Sequence, residues 1–342
     1  MDHKGKEMST GPREFLAKES ELLRQNLEKL TMQWPPPFPQ ITQSLIEQVG
    51  FRPHSSSSLG WTGQFDALTI LFPMLLADLL PENAFDLSRK WGVVHALYMI
   101  HSILDDRILD GQLKPNSPVV LYNRLVLLQA EHLFHSLAPN EEQWWITLHH
   151  DYLSHQAQQD SRLADSVSNA SELEESAYGR AALGLLAGCG MLSSAGARAS
   201  TVERVWEAYK PLVIALQWCD DVEDWEEDLK FHRPNLLLAQ IGTLVRQTID
   251  DLSDSWIGEI RKSLFYSGAL ANAFRRAADL MKKSASLYEH LGAVTVARLI
   301  LDKSARIEER THQYAVLYST EILDILDREV SQLTSAMAGV SA

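Results

Sequence analysis

The chain has 342 residues and an ordinary globular composition, with 45% hydrophobic and 22% charged residues. Its formal net charge of -14 argues against a nucleic-acid-binding protein, because neutralising phosphates needs a clustered excess of Lys and Arg. Its two cysteines are too few for a disulfide framework, which favours a reducing compartment. The polar residues 1–11 lack the apolar stretch of a signal peptide, and no apolar segment is long enough to span a bilayer. We therefore expect a cytoplasmic protein without a transmembrane segment.

Helical periodicity runs through almost the whole chain, whereas the strict alternation of a β-strand is hard to find. This pattern predicts an all-α protein. A first amphipathic helix is predicted from about Arg13 to Met32, and the proline run at residues 35–37 ends it. A turn at residues 81–83 precedes a long predicted helix, and a further turn is predicted at residues 114–118.

The domain organisation is predicted to be simple, because helical folds of this size often form one unit. We expect a flexible N-terminus at residues 1–12, a single α-helical domain at residues 13–335 and a flexible C-terminus at residues 336–342. The polar stretch 164–176 predicts a loop within that domain. The sequence leaves the oligomeric state open, with a homodimer as one option.

A first acidic motif follows an apolar helical run and reads His101-Ser-Ile-Leu-Asp-Asp-Arg-Ile-Leu-Asp110. Asp106 and Asp110 are four residues apart and so share a helical face, with Asp105 beside them. Clustered carboxylates repel one another, and burying them is costly unless a cation compensates their charge. Magnesium prefers such hard oxygen ligands. For one motif alone, a solvated acidic helix end is an equally good interpretation.

A second acidic motif repeats this design in the segment Gln217-Trp-Cys-Asp-Asp-Val-Glu-Asp224. Asp220 and Asp224 are again four residues apart after an apolar run, with Asp221 beside them. Two helices of this design arise by chance far less often than one. Residues 250–254 also match the text D-D-x-x-D, but their polar upstream flank indicates a helix start or a surface cluster.

With both motifs in this order, the sequence resembles the class I isoprenoid synthases, and among them the trans-polyprenyl diphosphate synthases. The resemblance extends over residues 72–238. Gln217 stands three positions before the first Asp of the second motif, as in that family. Arg180 lies where the family has a Lys-Thr pair, and Lys230 or Arg233 lies where a Lys follows the second motif.

The resemblance implies an all-α, class I isoprenoid synthase-type helical bundle around a deep apolar cavity. It also implies Mg²⁺, with three ions per site, that bridges the Asp motifs to the diphosphate of a small-molecule prenyl substrate. The implied metal ligands are Asp105, Asp106, Asp110, Asp220, Asp221 and Asp224. The implied catalytic residues are Asp105, Asp106, Asp220 and Arg180, and the implied substrate-binding residues are Arg180, Gln217, Lys230 and Arg233. The D-D-x-x-x-D spacing leaves open whether Asp105 or Asp106 is the principal ligand.

The sequence departs from the chain-elongating members of this family in the elements that hold isopentenyl diphosphate. Those members carry a Gly-Lys-x-x-Arg-Pro element before the first motif and an Arg pair after it. The corresponding stretches here are residues 67–73, with Phe72 where a cation is needed, and residues 111–115. The second diphosphate therefore lacks a predicted binding site. This loss favours rearrangement or cyclisation of one substrate over condensation of two.

Further side chains are weaker candidates for contact with substrate. Gln156 and Asp160 share a helical face, for which a hydrogen-bonded polar layer is the favoured interpretation and substrate contact the alternative. Arg306, Arg310 and Tyr314 lie where terpene cyclases often supply an Arg-Tyr pair, and a surface position is at least as compatible. Aromatic residues that either line a carbocation cavity or form ordinary core are Trp61, Tyr98, Phe134, Tyr152 and Trp218.

Three functions remain after these observations. The first is a class I terpene synthase, a lyase that ionises a linear allylic prenyl diphosphate with Mg²⁺ and cyclises or rearranges the carbocation. The second is a trans-prenyltransferase, either a polyprenyl diphosphate synthase or an enzyme that prenylates another acceptor. The third is a non-catalytic partner subunit, against which the two intact Asp motifs argue.

Overall fold

The computed structural model describes residues 12–49, 67–81, 84–109, 114, 118–138, 142–157, 170–242 and 254–313. Its helices are α1 (Pro12–Thr31), α2 (Phe38–Val49), α3 (Ala67–Ile70), α4 (Phe72–Leu75), α5 (Phe85–Leu109), α6 (Pro118–Leu137), α7 (Glu142–Ala157), α8 (Ala170–Arg180), α9 (Ala182–Ser194), α10 (Ala199–Lys230), α11 (Leu236–Ala239), α12 (Asp254–Tyr266), α13 (Ala269–Leu291) and α14 (294–313). Within these ranges no residue belongs to a β-strand, and the all-α fold class is confirmed.

Comparison with the predicted elements gives one correction. The first amphipathic helix and the long helix after residue 83 are confirmed as α1 and α5. The loop predicted at residues 164–176 is wrong over residues 170–176, which form the first part of α8. Tertiary contacts stabilise this polar helix, because Glu174 accepts hydrogen bonds from Trp218 Nε1 at 2.8 Å and from Arg276 Nη2 and Nε at 2.9 and 3.0 Å. Residues 164–169 and both chain ends lie outside the described residues.

The chain divides into two compact units. One comprises Met1–Gln159, Glu175–Ile214 and Lys282–Leu301, and the other comprises Asp160–Glu174, Ala215–Met281 and Asp302–Ala342. The long helices α10, α13 and α14 each contribute residues to both units. The first acidic motif therefore belongs to the first unit and the second acidic motif to the second unit.

The first unit is built around α5, which packs against α1, α3, α4, α6 and α9. Helix α9 is buried along its whole apolar stretch, as is typical of a helix in the interior of a large protein. Its glycines permit close packing, since a Cβ atom at Gly190 would lie 2.4 Å from the Trp91 ring. The buried Glu19 of α1 accepts hydrogen bonds from Arg89 of α5 at 2.8 and 2.9 Å.

The second unit contains the C-terminal half of α10, α11, α12 and the first half of α13. Its buried apolar residues include Trp218, Val222, Trp225, Leu229, Leu236, Leu237, Leu238, Ile260, Leu264, Phe274, Met281 and Ile307. Ser304 Oγ donates to the carbonyl of Ala278 at 3.1 Å and joins α14 to α13. Across the described part of the chain, no helix combines the length and apolarity that crossing a membrane requires.

Candidate active site

The first acidic motif lies at the C-terminal end of α5, directly after the buried residues of that helix. His101 and Leu104 are buried at helical spacing, and the chain changes from apolar residues to carboxylates within one turn. The Asp105 side chain is 31% exposed, and Asp106 is also partly exposed. Asp110 lies outside the described residues. Solvent therefore reaches the two described carboxylates of this motif.

Asp105 is held by hydrogen bonds from two neighbouring helices. Asn123 Nδ2 on α6 donates to Asp105 Oδ1 at 2.7 Å, and the Tyr152 hydroxyl on α7 donates to Asp105 Oδ2 at 3.0 Å. His101, one turn earlier on α5, places Nδ1 2.9 Å from Asn123 Oδ1 and Nε2 3.4 Å from Asp105 Oδ2. This network restricts Asp105 to one orientation. Tyr152 was predicted either to line a cavity or to form core. It is buried, and its hydroxyl donates a hydrogen bond to a carboxylate of the motif.

The second acidic motif begins a stripe of carboxylates that continues to Asp228 along the C-terminal half of α10. Asp220, Asp224 and Asp228 follow one another at four-residue spacing, so they lie on one helical face. Asp220 is exposed, whereas Asp224 and Asp228 are partly buried. Burial raises the pKa of Asp224, and the nearby negative charge of Glu227 raises it further.

Asp228 has the most perturbed carboxyl group of this stripe. Burial raises the pKa of Asp228 to about 7, and the charges of Asp221 and Asp224 act in the same direction. Asn235 Nδ2, which donates to Asp228 Oδ2 at 2.8 Å, and the Arg233 charge oppose this rise only in part. Burial and repulsion from neighbouring carboxylates thus disfavour the ionised form of Asp228.

Asp221 differs from its neighbours because it is 3% exposed and joins α10 to the turn before α11. Gln217 Nε2 donates to its Oδ1 at 2.5 Å, and the backbone N–H of Leu236 donates to its Oδ2. Asn235 Nδ2 also donates to the Asp221 carbonyl at 2.9 Å, while Asn235 Oδ1 caps the N-terminus of α11. These contacts give Asp221 a structural role, and its role as a metal ligand stays a prediction.

Two arginines pair with carboxylates next to the second motif. Arg233 Nη1 lies 3.3 Å from Glu227 Oε1 and 3.7 Å from Asp228 Oδ1. Arg310 Nη1 lies 3.3 Å from Glu223 Oε1, and this ion pair is less than one-fifth exposed on each side. Arg233, which was predicted to follow the second motif, therefore contacts α10, the helix that carries this motif. Arg310, one of the weaker candidates, is brought to the same helix.

Other predicted residues are described in part or not at all. Arg180 is the last residue of α8 and Gln156 lies in α7, but the side chains of both lie outside the described part of the structure. Asp160 lies outside the described residues, and Lys230 is exposed at the end of α10. Trp61 and Tyr314 also lie outside the described residues. The candidate aromatics that are described, Tyr98, Phe134, Tyr152 and Trp218, are all buried.

Phe72, which the sequence resemblance predicts to stand where a chain-elongating enzyme needs a cation, is 1% exposed. Its ring centroid lies 5.0 Å from that of Tyr209, 6.2 Å from His95 and 6.4 Å from Tyr288. Burial lowers the pKa of His95 to about 4, so this imidazole is neutral near pH 7. The described surroundings of Phe72 are thus an aromatic cluster of the core, with no charged group among these three ring partners.

The carboxylates fit a hard divalent cation by their donor chemistry. No group of three or more His, Cys, Asp or Glu side chains converges on one point among the residues that the structure describes. Asp220, Asp224 and Asp228 nevertheless form a row of oxygen donors, and the raised pKa values of the last two reflect burial and repulsion that a cation relieves. Within the first unit, Asp105 is a carboxylate that is held by uncharged donors.

The sequence interpretation missed Asn123, Asp228, Asn235 and Lys303. A signal was present for two of them, since Asp228 continues the four-residue spacing and Asn235 has the residue type of an N-cap before an apolar run. Asn123 carries no such signal, because only helix packing brings it to Asp105, 18 residues away. Lys303 is a buried cation on α14 whose charge acts on Cys219 beside the second motif.

Comparisons with known proteins find similarity in structure alone. No family model matches the sequence, and no curated protein matches it. A decaprenyl diphosphate synthase from Rhodobacter capsulatus superposes with a TM-score of 0.68 at 14% identity, over 87% of this chain and 99% of that chain. A polyprenyl synthase from Roseobacter denitrificans gives a TM-score of 0.67 at 14% identity, with the same coverage of 87% and 99%.

A third solved structure extends this likeness to a plant protein. The apo form of an Arabidopsis medium/long-chain length prenyl pyrophosphate synthase has a TM-score of 0.64 at 16% identity, over 88% of this chain and 100% of that chain. Identities this low establish the fold alone. The fold that the two Asp motifs predicted is confirmed, and the chain has the all-helical class I isoprenoid synthase-type fold of the polyprenyl diphosphate synthases.

Proposed function

We propose that this chain is a Mg²⁺-dependent enzyme that ionises an allylic prenyl diphosphate. The observation that carries the proposal is the presence of two acidic motifs on helices of the polyprenyl synthase-type fold, each with carboxylates accessible to solvent. In the first motif the accessible groups are Asp105 and Asp106, and in the second they are the exposed Asp220 and the partly exposed Asp224. A protein with a net charge of -14 needs cations to bind an anionic substrate.

The side chains of the chain have distinct tasks in this proposal. When bound, Mg²⁺ ions, proposed as three per site, neutralise the negative charge that develops on the leaving diphosphate. Asp105 and Asp106 in one motif, and Asp220 and Asp224 in the other, are the proposed ligands, with Asp110 and Asp221 as further candidates. Arg180, Gln217, Lys230 and Arg233 remain proposed contacts of the substrate.

For the fate of the ionised substrate, the comparisons favour prenyl transfer. The solved structures that resemble this chain include decaprenyl, geranylgeranyl and other polyprenyl diphosphate synthases. A trans-prenyltransferase, with isopentenyl diphosphate or another nucleophile as acceptor, is therefore our first candidate. This order reverses the preference for a terpene synthase drawn from the sequence.

A terpene synthase remains the second candidate because of one observation at Phe72. Burying a second diphosphate without a compensating cation costs several kcal/mol. The sequence resemblance predicts a missing cation at Phe72, and the ring partners of Phe72 are Tyr209, Tyr288 and the neutral His95. A cyclase needs no second diphosphate site, so its substrate would be one linear allylic diphosphate.

The experiment that tests the proposal is incubation of the purified chain with Mg²⁺ and geranyl, farnesyl, geranylgeranyl or geranylfarnesyl diphosphate, each with and without labelled isopentenyl diphosphate. Release of diphosphate from any of them supports the shared ionisation step. Longer labelled diphosphates identify a polyprenyl synthase, whereas hydrocarbons or alcohols formed from one substrate identify a terpene synthase. Absence of diphosphate release with all four substrates, at Mg²⁺ concentrations up to the millimolar range, contradicts the proposal.

Assembly and location belong to the same proposal. We expect a homodimer, and α6 offers Leu121 and Leu128 as exposed apolar residues seven positions apart on one face. Light scattering of the wild type and of a Leu128→Glu variant tests this expectation, which a monomeric wild type contradicts. The two free, buried cysteines are compatible with a reducing, cytoplasmic location.

A further inference from the structure

Asp105 is the accessible member of an otherwise buried polar network that joins three helices. Asn123 on α6 is 4% exposed and Tyr152 on α7 is 1% exposed, whereas the Asp105 side chain on α5 is 31% exposed. A buried amide or hydroxyl is costly unless it is hydrogen-bonded, and both of these groups donate to Asp105. Two buried donors are therefore directed at one carboxylate that solvent can reach.

The orientation of Asn123 follows from its two neighbours. Its Nδ2 donates to Asp105 Oδ1 at 2.7 Å, and its Oδ1 faces His101 Nδ1 at 2.9 Å. The flipped amide would place a carbonyl oxygen against the carboxylate, so the network assigns the hydrogen to His101 Nδ1. His101 thereby fixes the amide that in turn fixes Asp105.

The donors restrain Asp105 without removing its charge. Asn123 donates to Oδ1 and Tyr152 donates to Oδ2, and His101 Nε2 lies 3.4 Å from the same Oδ2. A carboxylate oxygen has two lone pairs, so each oxygen retains acceptor capacity for a further partner. Outer partners of this kind orient a ligand and increase its affinity for a metal ion.

We propose that Asn123 and Tyr152 are positioning residues that hold Asp105 as the principal Mg²⁺ ligand of the first motif. The inference rests on the proposed function, and it answers the question that the D-D-x-x-x-D spacing left open between Asp105 and Asp106. Asp105 is selected because two buried donors from separate helices engage both of its oxygens and so fix its orientation before a cation binds. The two positioning residues act through Asp105 and contact neither the metal ion nor the substrate.

The test measures cation binding separately from turnover. Mn²⁺ replaces Mg²⁺ as a paramagnetic probe, and free Mn²⁺ is counted by electron paramagnetic resonance in the presence of inorganic diphosphate. The test variants are Tyr152→Phe and Asn123→Leu, each of which deletes a donor to Asp105. The matched control is Tyr122→Phe, because Tyr122 is also a buried tyrosine and its hydroxyl bonds to Thr42 Oγ1 at 2.9 Å.

We expect each test variant to weaken Mn²⁺ binding about 10-fold, the scale on which outer partners of metal ligands act. Tyr122→Phe should bind Mn²⁺ as the wild type does, and Asp105→Asn should lose most of the affinity. In turnover assays, the Mg²⁺ concentration for half-maximal rate should rise in Tyr152→Phe, and saturating Mg²⁺ should restore much of the rate. A purely structural role would lower the melting temperature without changing the Mn²⁺ affinity.

Three results overturn the inference. Wild-type Mn²⁺ affinity in Tyr152→Phe shows that the hydroxyl does not position a ligand, even if Asn123→Leu fails to fold. Wild-type affinity in Asp105→Asn shows that Asp105 is not the principal ligand. Equal weakening by Tyr122→Phe and Tyr152→Phe points to general destabilisation. A wild type that binds Mn²⁺ and diphosphate but consumes no prenyl diphosphate contradicts the proposed function alone, and the Mn²⁺ titrations then still decide the positioning role.

Discussion

The two acidic motifs look alike in sequence but are organised by different parts of the structure. Asp105 of the first motif is oriented by Asn123 and Tyr152, which lie 18 and 47 residues further along the chain. In the second motif, the partners of Asp221 and Asp228 in these hydrogen bonds lie within 15 residues, in α10 itself and the turn that follows it. Tertiary packing therefore orients Asp105, whereas these hydrogen bonds of Asp221 and Asp228 are local.

The electrostatics of the motifs differ in the same way. Uncharged donors stabilise Asp105 as an accessible carboxylate. The C-terminal half of α10 carries Asp221 and Asp224 of the second motif and Asp228 after it, and burial with repulsion from nearby carboxylates raises the pKa of Asp224 and Asp228. Two similar acidic patterns can therefore favour cation binding for different reasons. In the first motif, hydrogen bonds orient one carboxylate, whereas on α10 neighbouring carboxylates repel one another. Four predictions test or sharpen the contrast.

The largest expected effect is on turnover, when an accessible carboxylate of either motif is removed. Asp105→Ala and Asp220→Ala should each lower kcat/KM about 10³-fold, because a metal ligand contributes several kcal/mol to stabilising the leaving diphosphate. Helical content, measured by circular dichroism, should be unchanged in Asp220→Ala, since this side chain is exposed. Steady-state release of diphosphate is the measurement.

The matched control for these variants is Asp86→Ala. Asp86 lies on α5 like Asp105, but its side chain is 87% exposed and pairs with Arg89 at 3.2 Å. Its removal should change kcat/KM by less than a factor of about 2, because exposed ion pairs contribute little. Full activity of both Asp105→Ala and Asp220→Ala would contradict the proposal that the two motifs bind Mg²⁺.

The sequence predicted the fold better than it predicted the environment of the site. Four-residue spacing of carboxylates revealed both motifs, and the same periodicity identified α1 and α5. It did not reveal Asn123 as a partner of Asp105, because a helix-to-helix contact leaves no local pattern in the chain. It also did not separate the buried Asp221 from the exposed Asp220, since adjacent residues on a helix face different surroundings only after packing.

The next largest effect should come from Asp221, whose buried oxygens stabilise the turn between α10 and α11. Asp221→Ala leaves Gln217 Nε2 and the Leu236 N–H without this acceptor, which should lower the free energy of unfolding by about 3 kcal/mol. Urea denaturation measures this loss. Asp220→Ala serves as the adjacent exposed control and should unfold as the wild type does. Equal stability of the two variants would show that Asp221 has no structural role.

A smaller, pH-dependent effect is expected from Asp228. Its pKa of about 7 in the folded chain lies above the unfolded value of 3.8, so between these pH values the folded chain holds a proton that the unfolded chain has lost. The free energy of unfolding should therefore fall as the pH rises through this window, by about 2–3 kcal/mol between pH 5 and pH 8 in the absence of divalent cations. Asp228→Asn should remove this part of the pH dependence.

Urea titrations at about pH 5 and pH 8, on either side of the folded-state pKa, measure the Asp228 effect in both proteins with chelator present. Mg²⁺ should reduce the fall in the wild type, because a cation near the stripe stabilises the ionised carboxylates. Identical pH dependence of wild type and Asp228→Asn would show that the buried carboxyl group is not perturbed. The proposed electrostatic difference between the two motifs would then be wrong.

The smallest effect concerns the ion pair between Glu223 and Arg310, which joins α10 to α14. The Nη1 to Oε1 distance is 3.3 Å, and both side chains are less than one-fifth exposed. Their partial burial places the expected coupling near the upper end for surface pairs, at about 1 kcal/mol. A double-mutant cycle with Glu223→Gln and Arg310→Gln, followed by urea denaturation, isolates the coupling energy from the effect of each substitution alone.

Arg310 is also one of the weaker candidates for contact with substrate. If Arg310 binds the diphosphate in the working enzyme, Arg310→Gln should raise KM while Glu223→Gln should not. A coupling near zero together with an unchanged KM would contradict a role of Arg310 at the second motif. Repulsion between neighbouring carboxylates would then be the main electrostatic feature of that motif.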